Sequence, residues 1–181
     1  MSSRMSKAHS TPHADPRAYC AALGHFATGV TIVTTLRGNG APIGLTANSF
    51  SSVSLVPPLV LWSLAARSPS LDAFSSAAHY AINVLAADQQ VLSQRFATPM
   101  PDKFAGVAVQ SGPGGVPLIE GATMQLICEH HQRIAAGDHV IFIGHVLGYH
   151  VRAIDPLIYC RGRYLAESQV PASPASEAQR C

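Results

Sequence analysis

The sequence predicts a mainly β chain, an antiparallel barrel carrying a few short helices. Three observations predict it. Runs rich in β-branched and aromatic residues recur, GVTIVTTL at 29–36 and HYAINVL at 79–85 among them, and such residues suit a pleated, half-buried surface. The stretch from Gly121 to Tyr149 reads as one long hairpin turning at Ala135-Ala136-Gly137. Helix-like segments are short and few, which argues against a doubly wound parallel sheet.

The elements follow in order. Asp15-Pro16 opens a helix with Tyr19, Leu23 and Phe26 on one side, proline sitting where its missing N–H costs nothing. Gly29 to Leu36 is a strand, RGNGAP at 37–42 a turn, and Ile43 to Phe50 and Pro58 to Leu64 further strands. Ser68-Pro69-Ser70 caps a short helix ending near Ala77. His79 to Leu85 is a strand, and Asp88 caps a helix ending near Phe96. Pro156 to Tyr159 is the last short strand. Residues 1–15 and 167–181 are rich in Ser, Pro and Ala and are expected to be disordered tails, leaving 16–166 as one domain.

The 181 residues are 48% hydrophobic and only 12% charged, against about 25% charged in typical soluble domains. A chain so poor in charge is expected to hide surface in a homo-oligomer. A formal charge of +2 gives no case for nucleic acid or an anionic membrane. No apolar run approaches the ~20 residues of a membrane span, and no secretory signal is expected at the N-terminus. Cys20, Cys128, Cys160 and Cys181 are far apart without a Cys-x-x-Cys pair, so inert thiols in a cytoplasmic protein are expected.

Familiar nucleotide motifs fail. Gly38, Gly40 and Gly44 are spaced G-x-G-x-x-x-G and lead into a strand, whereas the dinucleotide fingerprint aims a helix at a pyrophosphate. GPGG at 112–115 lacks the Lys and Ser/Thr of a phosphate loop. His130 and His131 are adjacent in a strand, so their side chains point to opposite faces and cannot share a metal.

The informative stretch is GLTANSFSSVSLVPPLVL at 44–61. In an extended segment Thr46, Asn48 and Phe50 share one face, and Ala47, Ser49 and Ser51 the other. The result is a surface of short donors and acceptors. It suits a flat heteroaromatic ligand with a polyol tail, or a strand that solvates its polar face.

This stretch resembles the flavin-binding segment of the flavin reductase family, the small NAD(P)H:flavin oxidoreductase components of two-component monooxygenases. ATGVTIVTT (27–35), SPSLDAF (68–74), YAINVLAADQQVLSQRFA (80–97), DKFAG (102–106), GDHVIFIGHV (137–146) and PLIYCRGRY (156–164) extend the resemblance in order, over residues 15–166. It implies an FMN-binding split β-barrel of Greek-key type, a homodimer, and a flavin groove near the subunit interface. It also implies FMN or FAD as cofactor, NADH or NADPH as hydride donor, and a separate monooxygenase that receives the reduced flavin.

By this resemblance Thr46, Ala47, Asn48 and Ser49 line the isoalloxazine and ribityl chain, with Ser52, Val53 and Ser54 continuing the groove. Leu59 to Ser63 form its floor, and Thr28 to Val30 border it. Ser68 and Ser70 sit where a phosphate would meet a helix N-terminus, and both also read as plain caps. Arg95, beside Phe96, is the candidate partner of the flavin phosphate, or else a solvated helix-end cation. His139 would lie beside the nicotinamide, with Tyr159, Arg161 and Tyr164 as further contacts to the pyridine nucleotide. Trp62 stands where a smaller residue is expected and would alter the pocket floor. Val56 replaces an acidic residue and is expected to be harmless. No general acid or base is implied, since hydride passes to flavin N5 by positioning. A pyridoxamine-phosphate-oxidase-like flavoprotein, a flavin sensor without turnover and a ligand-free barrel are the competing readings.

Overall fold

The structure is a computed structural model that describes residues 15–165. Helix α1 spans Pro16–Leu23, and the Asp15 side chain accepts from the N–H groups of Arg17 and Ala18, as the Asp-Pro pair predicts. Strands β1 (Thr28–Gly29), β2 (Thr31–Leu36), β3 (Pro42–Ala47), β4 (Ser51–Leu55) and β5 (Pro58–Ala65) follow. Then come α2 (Leu71–Ser76), β6 (His79–Val84), α3 (Gln90–Ala97), β7 (Val109–Ser111) and β8 (Pro117–Ile119). The described residues close with β9 (Met124–Ala136), β10 (His139–Val151), β11 (Ile158–Cys160) and β12 (Arg163–Leu165).

Seven strands form one sheet in the order β3-β2-β6-β9-β10-β5-β4, every neighbour antiparallel. β1, β11 and β12 form a small second sheet, and β7 pairs with β8. The mainly antiparallel β expectation holds. Among the described residues no strand ladder closes the seven strands into a ring. β3, at one edge, nevertheless comes round to β5, next to the other edge.

The run TIVTT in β2 is buried on both faces, which is why it shows no alternation. Val33 belongs to a cluster with Trp62, Phe74, Tyr80 and Phe142, whereas Ile32 faces Leu85, Phe96, Ile119 and Leu157. The two clusters cover opposite faces of the sheet centre and fix the register of its strands, because a slip by one residue would turn each set to the wrong side. The long hairpin turns at Gly137-Asp138, with Gly137 at φ +63°, a conformation glycine adopts without steric cost.

Several expectations are corrected. The strand expected over 43–50 ends at Ala47, and Ser51 starts a separate strand at the far edge of the sheet. Asp88 lies in a single helical turn ahead of α3 and caps nothing; the Gln89 side chain holds the Ala86 N–H at 3.0 Å instead. Trp62 points into the core, fully buried and stacked on Phe142 at 4.8 Å. It is therefore no part of a pocket floor, because alternation along β5 sends Val60, Trp62 and Leu64 inward together. Tyr19, Leu23 and Phe26 do not pack on the domain but stand exposed, and so does Val56. The tails expected at 1–15 and 167–181 lie, Asp15 apart, outside the described residues, as does Cys181.

Candidate active site

The end of β3 builds the site. After Ala47 the chain leaves the sheet, so Asn48 and Ser49 no longer follow strand alternation. Together with Thr46, Ala47, Ser63, Ser68 and Ser70 they border a cavity of about 650 Å³, within the range of ligand sites. The loop after α3 forms the opposite wall, through Pro99, Met100, Pro101 and Lys103. His139, from the tip of the long hairpin, stands at the rim.

Not every hydroxyl here is free. Thr46 Oγ1 donates to Ser93 O at 2.7 Å and so ties β3 to α3. Ser49 Oγ accepts from Ser63 N at 2.8 Å and donates to Ser63 O at 3.2 Å. Ser68 Oγ accepts from the Ser70 N–H at 3.3 Å. Among the described residues the side chains of Asn48, Ser63 and Ser70 make no internal hydrogen bond, and neither do the backbone N–H groups of Asn48 and Ser49. These groups remain for a ligand. A planar ring carrying carbonyl and ring-nitrogen edges matches that set of short, unspent donors and acceptors.

Gly44 sets the shape of the wall. A Cβ there would lie 2.9 Å from Cε1 of Phe96 and 3.2 Å from Cγ2 of Thr34. Glycine lets the Phe96 ring, fully buried and edge-on to Phe104 at 5.0 Å, close this end of the cavity.

The ionisable groups of the lining are Arg37, Lys103, His139 and Asp102. Asp102 Oδ1 already accepts from the N–H groups of Phe104 and Ala105 at 2.9 and 3.1 Å. Lys103 Nζ donates to Phe96 O at 2.6 Å, and partial burial lowers its pKa from the usual lysine value. His139 Nδ1 lies 2.7 Å from Asp138 Oδ1. That hydrogen bond, then the charge of the imidazole, lowers the Asp138 carboxyl below the usual range.

The structure thus brings Thr46, Ala47, Asn48, Ser49, Ser63, Ser68, Ser70, Phe96 and His139 to one cavity. It does not bring the others. Ser52, Val53 and Ser54 lie on the edge strand β4, outside the lining. Of the expected floor, Leu59 to Ser63, only Ser63 borders the cavity. Thr28 to Val30 do not border it either, since β1 pairs with β11 in the small sheet. Arg95 turns away, its Nη1 donating to Ala105 O at 2.6 Å. Tyr159 and Tyr164 belong to the small sheet and Arg161 to the turn between β11 and β12; the two tyrosine rings pack at 5.2 Å and Tyr164 Oη meets Ser93 Oγ at 2.8 Å. Sequence reasoning missed Arg37 and Lys103. Lys103 stood inside the quoted DKFAG segment, but nothing local shows that its side chain folds back to the end of α3.

A small antiparallel β domain whose cavity offers short polar groups, two cations and an imidazole has a lining suited to a flat polar ligand. Residues 23–168 match the family described as "Flavin reductase like domain", and the chain belongs to that family. It is 47% identical over 148 residues to an FMN reductase (NADH) of Agrobacterium fabrum, covering 82% of this chain and 84% of that one. It is 43% identical over 148 residues to the reductase component of a flavin-dependent trigonelline monooxygenase of Acinetobacter baylyi, covering 82% and 48%. The chain spans about half the length of several of its curated relatives, 48% of the Acinetobacter protein among them. Among solved structures it resembles an NADH:FAD oxidoreductase of Streptomyces globisporus in complex with NAD and FAD fragments. That likeness has a TM-score of 0.84 at 34% identity and covers 91% of this chain and 99% of the other. Among the described residues no helix is long and apolar enough to cross a membrane, and no group of His, Cys, Asp and Glu has the makings of a metal site.

Proposed function

We propose that this chain oxidises NADH or NADPH, reduces FMN or FAD, and passes the reduced flavin to a separate flavin-dependent monooxygenase. The carrying observation is the cavity at the end of β3, where small polar residues and free backbone amides converge under a histidine. A flavin bound there would supply the hydride acceptor. Asn48, Ser63 and Ser70, with the amides of Asn48 and Ser49, would hold its polar edges. Lys103 and Arg37 would meet its phosphate, in place of Arg95. His139, anchored by Asp138, would orient the pyridine nucleotide over the ring. No residue need move a proton; alignment carries the rate.

The finer architecture belongs to the same reading. The curling seven-stranded sheet is read as a split barrel, and the chain as a cytoplasmic homodimer with its domain at 16–166. Exposed apolar side chains support the dimer: Leu23 and Phe26 on and after α1, Leu55 and Val56 at the sheet edge, and Tyr149 on β10. A monooxygenase partner is supported by the naming of the Acinetobacter relative as a reductase component.

Steady-state loss of reduced-nicotinamide absorbance tests the proposal. With NADH or NADPH, added free FMN or FAD should accelerate the loss in a saturable way. Flavin that binds without accelerating turnover would overturn it in favour of a sensing role.

A further inference from the structure

Two cavities of the described chain share a wall residue. Arg37 borders the large cavity and also a second one of about 290 Å³. This second cavity lies between the end of β2, the end of α2 and the Gly-rich segment 112–115. Resting on the reductase reading above, we propose that the second cavity takes the adenosine half of a dinucleotide, FAD or NAD(P)H, with Arg37 on the pyrophosphate that joins the halves.

Size, lining and charge carry the inference. Pockets for whole ligands run to about 300–1,000 Å³, so the smaller cavity, at about 290 Å³, suits part of a ligand, such as a nucleoside. Its wall is small and apolar at Leu36, Ala77, Ala78 and Val116. His79 adds a half-buried ring whose nitrogens have no hydrogen-bond partner among the described residues. Gly114, at φ +68°, brings its backbone so close that a Cβ would lie 3.0 Å from His79 Nδ1. The ring is therefore braced by the loop, and a braced flat ring is a stacking platform for a base.

Arg37 is placed as a clamp between the halves. Its turn is closed by the Arg37 N–H on Ala41 O and the Gly40 N–H on Arg37 O, both at 2.8 Å. Asn39 Oδ1 accepts from the Ala41 N–H at 3.1 Å. A guanidinium fork on a fixed turn suits two adjoining phosphates. No carboxylate lines the second cavity to oppose them. A mononucleotide ends before reaching this space.

Ala78→Phe tests the assignment. The residue is exposed and lines only the second cavity, and its backbone bond to His130 survives the change. Dissociation constants for FMN and FAD come from flavin fluorescence, and KM values from turnover with NADH and with reduced nicotinamide mononucleotide. Filling the cavity should weaken one dinucleotide about tenfold, the scale of one base stacked on an aromatic ring, and spare its mononucleotide counterpart. Loss confined to FAD assigns the cavity to the flavin; loss confined to NADH assigns it to the nicotinamide donor. Equal effects on dinucleotide and mononucleotide, or no effect on either, overturn the proposal. His79→Ala, which removes the proposed platform at a residue lining only the second cavity and keeps its backbone bond to Thr35, reads the same ratios should the larger ring disturb folding. Failure of the reductase reading shows separately, as wild-type protein without flavin-stimulated turnover.

Discussion

Ser49 Oγ bonds both backbone groups of Ser63, accepting from its N–H at 2.8 Å and donating to its C=O at 3.2 Å. One hydroxyl thus does across the gap between β3 and β5 what a strand ladder does elsewhere in the sheet. It also fixes the distance between two walls of the cavity, since both residues line it.

Ser49→Ala should therefore act on stability and on binding together. Leaving a half-buried N–H unpaired costs about 1–3 kcal/mol, so a drop in melting temperature is expected. The flavin dissociation constant should rise beyond what the same loss of stability produces at a site remote from the cavity. Unchanged flavin binding in a destabilised variant would refute the bridging role.

A second close approach lies in the core. A Cβ on Gly144 would fall 2.8 Å from Cζ of Tyr80 and 3.0 Å from Cβ of Cys128, and would collide with the Tyr80 hydroxyl. That hydroxyl is buried and has no hydrogen-bond partner among the described residues. Burial also raises its pKa well above the usual tyrosine range, so it stays protonated. Tyr80→Phe alone should be neutral or stabilising, because an unpaired buried polar group is a cost. Gly144→Ala alone should destabilise by about 1–3 kcal/mol through overpacking. The double variant should recover part of that loss, a coupling visible in a denaturant double-mutant cycle. Simple additivity would show that Gly144 matters for some reason other than Tyr80.

How much of this was legible follows from where the chain obeys a period. Asp15-Pro16 announces α1, and Gly137 announces the hairpin turn, because each is a local backbone requirement. The end of β3 was not legible, since TANSFSSVS mixes small polar residues without alternation and nothing local says that the strand stops at Ala47. The inward turn of Trp62 follows from alternation along β5 once Ser63 is seen to face the cavity. That Lys103 borders the cavity and Arg95 does not has a three-dimensional reason. Both lie near the end of α3, but Arg95 bonds Ala105 O while Lys103 reaches back to Phe96 O along the cavity wall. Tyr159 and Tyr164 lie outside the cavity lining because their strands pair with β1 and with each other, away from β3.

The Asp138–His139 pair carries a pH signature. The Asp138 carboxyl is lowered below its ordinary value by the His139 hydrogen bond and then by its charge. A carboxyl with a depressed folded pKa adds stability above its unfolded pKa, about 3.9, and loses it as pH falls through the folded value. Both side chains are well exposed, so the effect is small and salt-sensitive. The melting-temperature gap between wild type and Asp138→Asn should be present near pH ~5 and fade below pH ~4. KM for NADH should rise in the variant more than kcat falls, because the imidazole loses its anchor. No gap at either pH would show that the contact is incidental.

The dimer reading has a test that a monomer would pass without harm. Leu23 and Phe26 are 57% and 79% exposed in the single chain, and α1 buries no side chain at all. In a monomer, replacing such residues by aspartate changes stability by no more than about 0.5 kcal/mol. In a dimer whose interface includes them, the same change places two carboxylates in an apolar contact, where burying an unpaired charge is strongly unfavourable. Light scattering should therefore report a two-chain mass for wild type and a one-chain mass for Leu23→Asp/Phe26→Asp. Flavin affinity of the variant is the more telling readout. Neither residue lines the cavity, so weakened binding on dissociation would mean that the second chain helps to complete the groove, whereas unchanged binding would make each cavity self-sufficient. A wild type that runs as a monomer at high concentration removes the dimer and leaves the exposed apolar face of α1 to another partner.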